Sequence, residues 1–284
     1  MKKYAQYVVL AGLVAGLAGL PAFAARGQNS SGTAQQSSSQ TPATGQGSSK
    51  AQAAPVKLNP KEEKAYKAFY DTPPSEPKTV ISSGVSFLKK YPTSRYAASV
   101  YARLAGAYEA TGEADKMMDA AHKALQLNPN DVDTLSLLAY AIPRRVDPND
   151  IDSGEKLQEA AQDATKALEL LPSVPKPASM TQDQFTSAIN AEAASCHSGL
   201  GLVDYYEHDI SGMVTQLEQA VKLNPTPDPS DQFLLGIAYM QDGRPADAVT
   251  ILQKCSAEPG PLADRCKSSL EQAQKQAASQ QKKQ

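Results

Sequence analysis

Tryptophan is absent from the chain and phenylalanine occurs only 5 times, although 41% of its 284 residues are hydrophobic. The apolar supply is mostly Ala and Leu. It is large enough for a real core in one or two domains, but it suits thin layers of closely packed helices better than a thick sandwich. Basic excess is also missing, since the formal net charge is −2. A nucleic-acid surface needs a cationic stripe that releases counterions, so nucleic acid is set aside as a partner. Beyond Pro60 no stretch alternates with period two, which argues against strands.

Chemistry-bearing patterns are equally sparse. There is no G-x-x-x-x-G-K-[ST], no H-E-x-x-H and no G-x-S-x-G in the sequence. Histidines number three: His122, His197 and His208. Cys196 precedes His197 directly, but neighbours on a helix point about 100° apart, so the pair is not read as nucleophile and base. Cys196 reads instead as a small core residue. The loop DPNDIDSGE (147–155) has acids in it, yet Ile151 stands where a calcium ligand would be required. It reads as a solvated acidic turn that caps a helix starting near Ser153. No metal, no cofactor and no catalytic residue is assigned, and the chain is expected not to be an enzyme.

What is present begins with MKKYAQYVVLAGLVAGLAGLPAFA (1–24). A basic start, an apolar run from Val8 to Leu20 and Ala22-Phe23-Ala24 have the form of a cleavable export signal. The apolar run is well short of the roughly 20 residues that span a bilayer. The expectation is an exported, periplasmic product with no membrane span after cleavage. Secretion, or anchoring by an uncleaved leader, is the alternative. Residues 25–55 are rich in Ser, Gln and Gly, and carry only Arg26 and Lys50 as charges. Such a segment cannot bury enough apolar area to offset its ordering entropy and is expected to be a disordered linker, about 30 Å long on average.

From residue 56 to 284 the pattern is helical. In VYARLAGAYEATGEADKMMDAAHKALQLNP (100–129), Tyr101, Leu104, Ala105 and Tyr108 share one helical face. Gly112 marks a break, Met117, Ala121, Ala124 and Leu125 form a second face, and Pro129 ends it. The hexapeptide ALQLNP (124–129) recurs as ALELLP (167–172) and AVKLNP (220–225). Residues 98–131 resemble a tetratricopeptide repeat, a helix–turn–helix unit of about 34 residues. Tyr101, Leu104, Ala105, Tyr108, Gly112, Ala124 and Pro129 occupy signature positions. Met117 replaces the usual small residue and Ala121 the usual aromatic.

Further copies centre on Leu138 with Ala139, Leu200 with Gly201, and Leu235 with Gly236. Their uneven spacing implies one insertion around Pro143–Asp152 and another in 173–191. Helices at 60–71 and 76–91 read as a degenerate first unit, and 261–279 as a polar cap. The resemblance implies an all-α, right-handed superhelical stack of about five helix pairs plus a C-terminal capping helix. Ala105, Ala139, Gly201 and Gly236 would let paired helices approach closely, and a large residue there would cost about 1–3 kcal/mol. Asp131, Thr181 and Asp228 read as helix caps, with Thr181 and Gln184 at capping-box spacing.

In this family the first helices of successive units line a concave surface that binds peptides or proteins. Carried over by position, that surface includes Arg103 and Glu109 with Ser99 and Gly106, then Tyr140 and Arg144 with Asp133. It continues through Tyr205 and Tyr206 with Leu202, and ends at Phe233 and Met240 with Ile237. The lysines and asparagines with which some members hold a C-terminal carboxylate are missing. The implied function is a non-catalytic protein–protein interaction scaffold with a protein or peptide partner. The run FLKKYPTSRYAASVYARLAGAY (87–108) is also similar to repeats of bacterial envelope assembly factors, which leaves a structural role in an outer-membrane or cell-division complex as the alternative. In an oxidising compartment, Cys255 and Cys266 are candidates for a disulfide worth roughly 3 kcal/mol, with two separately buried thiols as the other possibility.

Overall fold

The computed structural model describes residues 59–224 and 226–282. The leader at 1–24, the linker at 25–55 and Pro225 lie outside the described residues, where eleven α-helices and no strand are found. They are α1 (Pro60–Tyr70), α2 (Pro77–Lys90), α3 (Ala97–Thr111), α4 (Ala114–Leu127) and α5 (Val132–Ala141). Then come α6 (Ser153–Leu170), α7 (Gln182–Tyr206), α8 (Ile210–Leu223), α9 (Pro229–Gln241), α10 (Pro245–Ala257) and α11 (Ala263–Gln281). Each helix packs on the next, giving hairpins α1/α2 to α9/α10, and α11 lies against both helices of the last hairpin. Among first helices, α3 touches α5 and α5 touches α7. The molecule is a helical repeat stack.

Local chemistry explains where the helices begin. Asp131 accepts from Thr134 N, Asp228 from Ser230 N, and Thr181 makes a full capping box with Gln184. Proline opens α1, α2, α9 and α10, where its missing N–H has no helical partner to lose. Gly112 and Gly243 end α3 and α9 at φ 74° and 76°, in the left-handed region that glycine enters without a Cβ penalty. Asp152 precedes α6 but its side chain makes no capping bond. It pairs instead with Lys156 at 2.9 Å, so the acidic turn supports α6 through charge rather than through a cap.

Small residues set the spacing between helices. A Cβ on Gly236 would come within 2.6 Å of Leu252 Cδ2, and one on Gly201 within 2.7 Å of Leu217 Cγ. A third close approach joins neighbouring units: a Cβ on Gly199 would overlap the Ala139 backbone carbonyl, so α7 crosses α5 main chain against side-chain-free main chain. Residues 182–191, read from the sequence as part of an insertion, extend α7 to 25 residues. Its first turns pack Ile189 beside Leu170, Leu171 and Val174. Leu138, Leu217 and Leu252 are fully buried, and truncating any of them to Ala should cost about 2–5 kcal/mol.

Candidate partner-binding surface

At the N-terminal end, Arg103 is buried on α3 and donates to the carbonyls of Tyr70, the last residue of α1, and of Thr72 just beyond it. Its guanidinium lies over the Phe69 and Tyr70 rings at 5.2 and 5.3 Å. Burial lowers its pKa. Ser99 meets the Tyr66 hydroxyl at 2.9 Å. Glu109 accepts both its bonds from Arg145 Nη2 at 2.8 Å, tying α3 to the connection after α5. These groups fasten α1, α3 and α5 to one another.

Where α5, α7 and α9 meet, a denser network forms. Tyr140 on α5 donates from its hydroxyl to Asp228 Oδ2 at 2.8 Å, and the Arg144 guanidinium stacks 3.5 Å from the Tyr140 ring. Arg144 donates to the Tyr140 carbonyl at 2.9 Å, to Ser198 Oγ at 2.6 Å and to Asp231 Oδ1 at 3.2 Å. Ser198 on α7 in turn donates to Asp231 on α9. The Arg144 and Asp231 side chains are only 8% and 7% exposed. Burial pushes Asp231 up to about 6, opposed by the Arg144 charge and the Ser198 hydroxyl. Burial raises Tyr140 as well. Three first helices are thus clasped by one buried polar network, and Gly199 beside Ser198 removes the side chain that would hold them apart.

Eight of the positions carried over as a groove therefore divide. Arg103, Glu109, Tyr140 and Arg144 each make bonds within the chain. For Tyr140 and Arg144 the cause is the tight crossing of α5, α7 and α9, and for Arg103 and Glu109 it is the packing of α3 against the end of α1 and the connection after α5. Phe233 is half-buried and packs towards Cys255, Leu262 and Cys266. Met240 is half-buried against the core of α7 to α11. Tyr205 and Tyr206, also half-buried, end α7 as an edge-to-face pair with centroids 5.5 Å apart. The Tyr206 hydroxyl reaches the Val146 carbonyl at 3.4 Å.

Elsewhere, His122 Nε2 meets Glu159 Oε1 at 2.6 Å between α4 and α6, and this bond raises the imidazole pKa. One turn along α6, Asp163 Oδ2 is buried with no hydrogen-bond partner, and burial together with Glu159 pushes its carboxyl to about 7. Cys196 is fully buried, with its thiol against Ser136 and pushed up to about 12. His197 instead meets Gln216 at 2.7 Å. Cys255 and Cys266 lie at disulfide distance with Cα atoms 5.7 Å apart. Among the described residues no cluster of three or more His, Cys, Asp or Glu that could hold a metal is found, and no helix is long and apolar enough to cross a membrane.

The sequence named Tyr140 and Arg144 but missed Ser198, Asp228's second role and Asp231. The one available signal was Ser198-Gly199 beside Gly201, an excess of small residues on a first helix.

Residues 98–141, spanning α3, α4 and α5, match the tetratricopeptide repeat family. The chain carries a tetratricopeptide repeat. Among solved structures, a thermophilic tetratricopeptide repeat protein of Thermus thermophilus is similar at 16% identity and a TM-score of 0.46, over 74% of this chain and 98% of that chain. No curated protein matches the chain. Tetratricopeptide repeats mediate protein–protein interaction, and the α3/α4 hairpin presents its signature residues in the expected places: Leu104 and Ala105 buried between helices, Gly112 at the turn.

Proposed function

We propose that this chain is a non-catalytic interaction scaffold of the bacterial periplasm that captures a protein or peptide partner. The export-type leader supports the compartment, and the Cys255–Cys266 pair suits an oxidising one, where it would close as a disulfide. The observation that carries the reading is the division of the concave face. Its centre is filled by the Tyr140–Arg144–Ser198–Asp231 network, while Tyr205 and Tyr206 are only partly buried at the end of α7. Tyrosine supplies large contact area with few rotatable bonds and a polar tip, which is why it concentrates at binding hot spots.

The test is capture from periplasmic extract by the tagged chain, with and without Tyr205→Ala and Tyr206→Ala together. Capture should fall about tenfold or more, with the unfolding midpoint little changed, since each hot-spot side chain is worth about 1–2 kcal/mol. Equal capture by the double variant would reject this surface.

A further inference from the structure

The last helix is held in an unusual way. Only Cys266, Ser269 and Ala273 of α11 are buried, and Leu270 is half-buried, so 19 residues contribute little apolar surface. The helix nevertheless runs along both α9 and α10, the position that the first helix of a further unit would occupy. Near its far end, Gln280 Nε2 donates to the Gly243 carbonyl at 3.2 Å. At its near end, Cys266 joins Cys255 on α10, and Leu262 and Phe233 close around the two sulfurs. The α9/α10 hairpin is therefore covered by a polar helix that a pair of cysteines pins at its near end.

We infer that α11 is a redox-released cover over the end of the array. Both sulfurs are buried, so the near end of α11 must first open locally; a dithiol reductant then attacks one sulfur of the Cys255–Cys266 bond and forms a mixed disulfide. Its second thiolate then displaces the protein thiol, so the dithiol becomes a disulfide and the protein gains two electrons and two protons as two thiols. With the cross-link gone, α11 is held by a short apolar stripe, Cys266 beside Leu262 and Phe233, then Leu270 and Ala273. Its departure uncovers Phe233 and the adjoining face of α9, extending the concave surface past its oxidised limit. The inference rests on the proposed oxidising compartment, where the covered state is the resting one.

Hydrogen exchange on the full chain, oxidised and then reduced with dithiothreitol, tests it without any partner, so its outcome is separate from that of the capture experiment. Thiol labelling confirms reduction, and the buried Cys196 provides the internal reference. Removing a cross-link across 11 residues should speed exchange in 263–281 on the order of a hundredfold, while α3 to α8 keep their protection. The Cys255→Ala, Cys266→Ala double variant should show the open pattern with or without reductant. Unchanged α11 protection after verified reduction would overturn the inference, and so would simultaneous loss of protection in every helix. If the variant does not fold, the reduction experiment on the unmodified chain decides alone.

Discussion

Replacing Arg144 with Ala removes a guanidinium that is 8% exposed and leaves the Asp231 carboxylate, 7% exposed, without its cationic partner. Ser198 still donates to Asp231, but its own oxygen loses the bond from Arg144, and the Tyr140 ring loses the cation stacked on it. A buried pair broken on one side costs about 3–5 kcal/mol, chiefly because the remaining charge stays desolvated. An exposed pair would cost below about 1 kcal/mol. The two cases are far enough apart for urea denaturation followed by far-ultraviolet circular dichroism to separate them. The midpoint for Arg144→Ala should fall by about 1–2 M. Arg144→Met combined with Asp231→Leu removes both charges and should recover most of that loss, because no uncompensated ion is then left in the core. A loss below about 1 kcal/mol in the single variant, or no recovery in the double, would refute the claim that the network clasps three helices.

Stability should rise as pH falls from about 8 to about 5. The Asp163 carboxyl stands at about 7 in the folded chain against an ordinary 3.8, so its contribution is full below pH 4 and is lost as pH rises through 7. The gap would be worth about 4 kcal/mol if fully felt, and about 1–2 kcal/mol after screening at this half-buried site. His122, raised by Glu159, acts with the same sign, adding stability below pH 6.5 that is lost above its folded value. Asp163→Asn should therefore stabilise the protein at pH 8 and flatten the profile between pH 5 and 8 in thermal melts, and an unchanged profile would contradict the assignment. Gly199→Val should lower the thermal midpoint by several degrees, since its side chain has no room against the Ala139 carbonyl. A neutral effect would mean that α5 and α7 do not cross so closely.

Helices, caps and turns were legible because their causes are local. Asp131, Thr181 and Asp228 sit beside the backbone groups they satisfy. Gly112 and Pro129 act within their own turn. The spacing of Leu104 and Ala105 within one hairpin depends on a 3.6-residue period that any reader of the chain can count. The clasp depends on something else. Arg144 meets Ser198 and Asp231 at separations of 54 and 87 residues, and only the crossing angles of three helices decide that those side chains converge. Positions transferred from a regular repeat array assume regular crossings, so they give no sign that Tyr140 and Arg144 also bond to α7 and α9. Likewise 173–191 looked like an insertion because repeat spacing gives no signal for a lengthened helix. Thr181 was the local clue that a helix restarts there.

Site-specific photo-crosslinking in intact cells measures the central claim most directly. A photoreactive phenylalanine is placed at Tyr205 in one strain and at Tyr140 in another. The account predicts a partner adduct from position 205 and none from position 140, whose side chain lies inside the clasp. An adduct from position 140 alone would mean that the concave centre is open to partners and that the division drawn between clasp and contact surface is wrong.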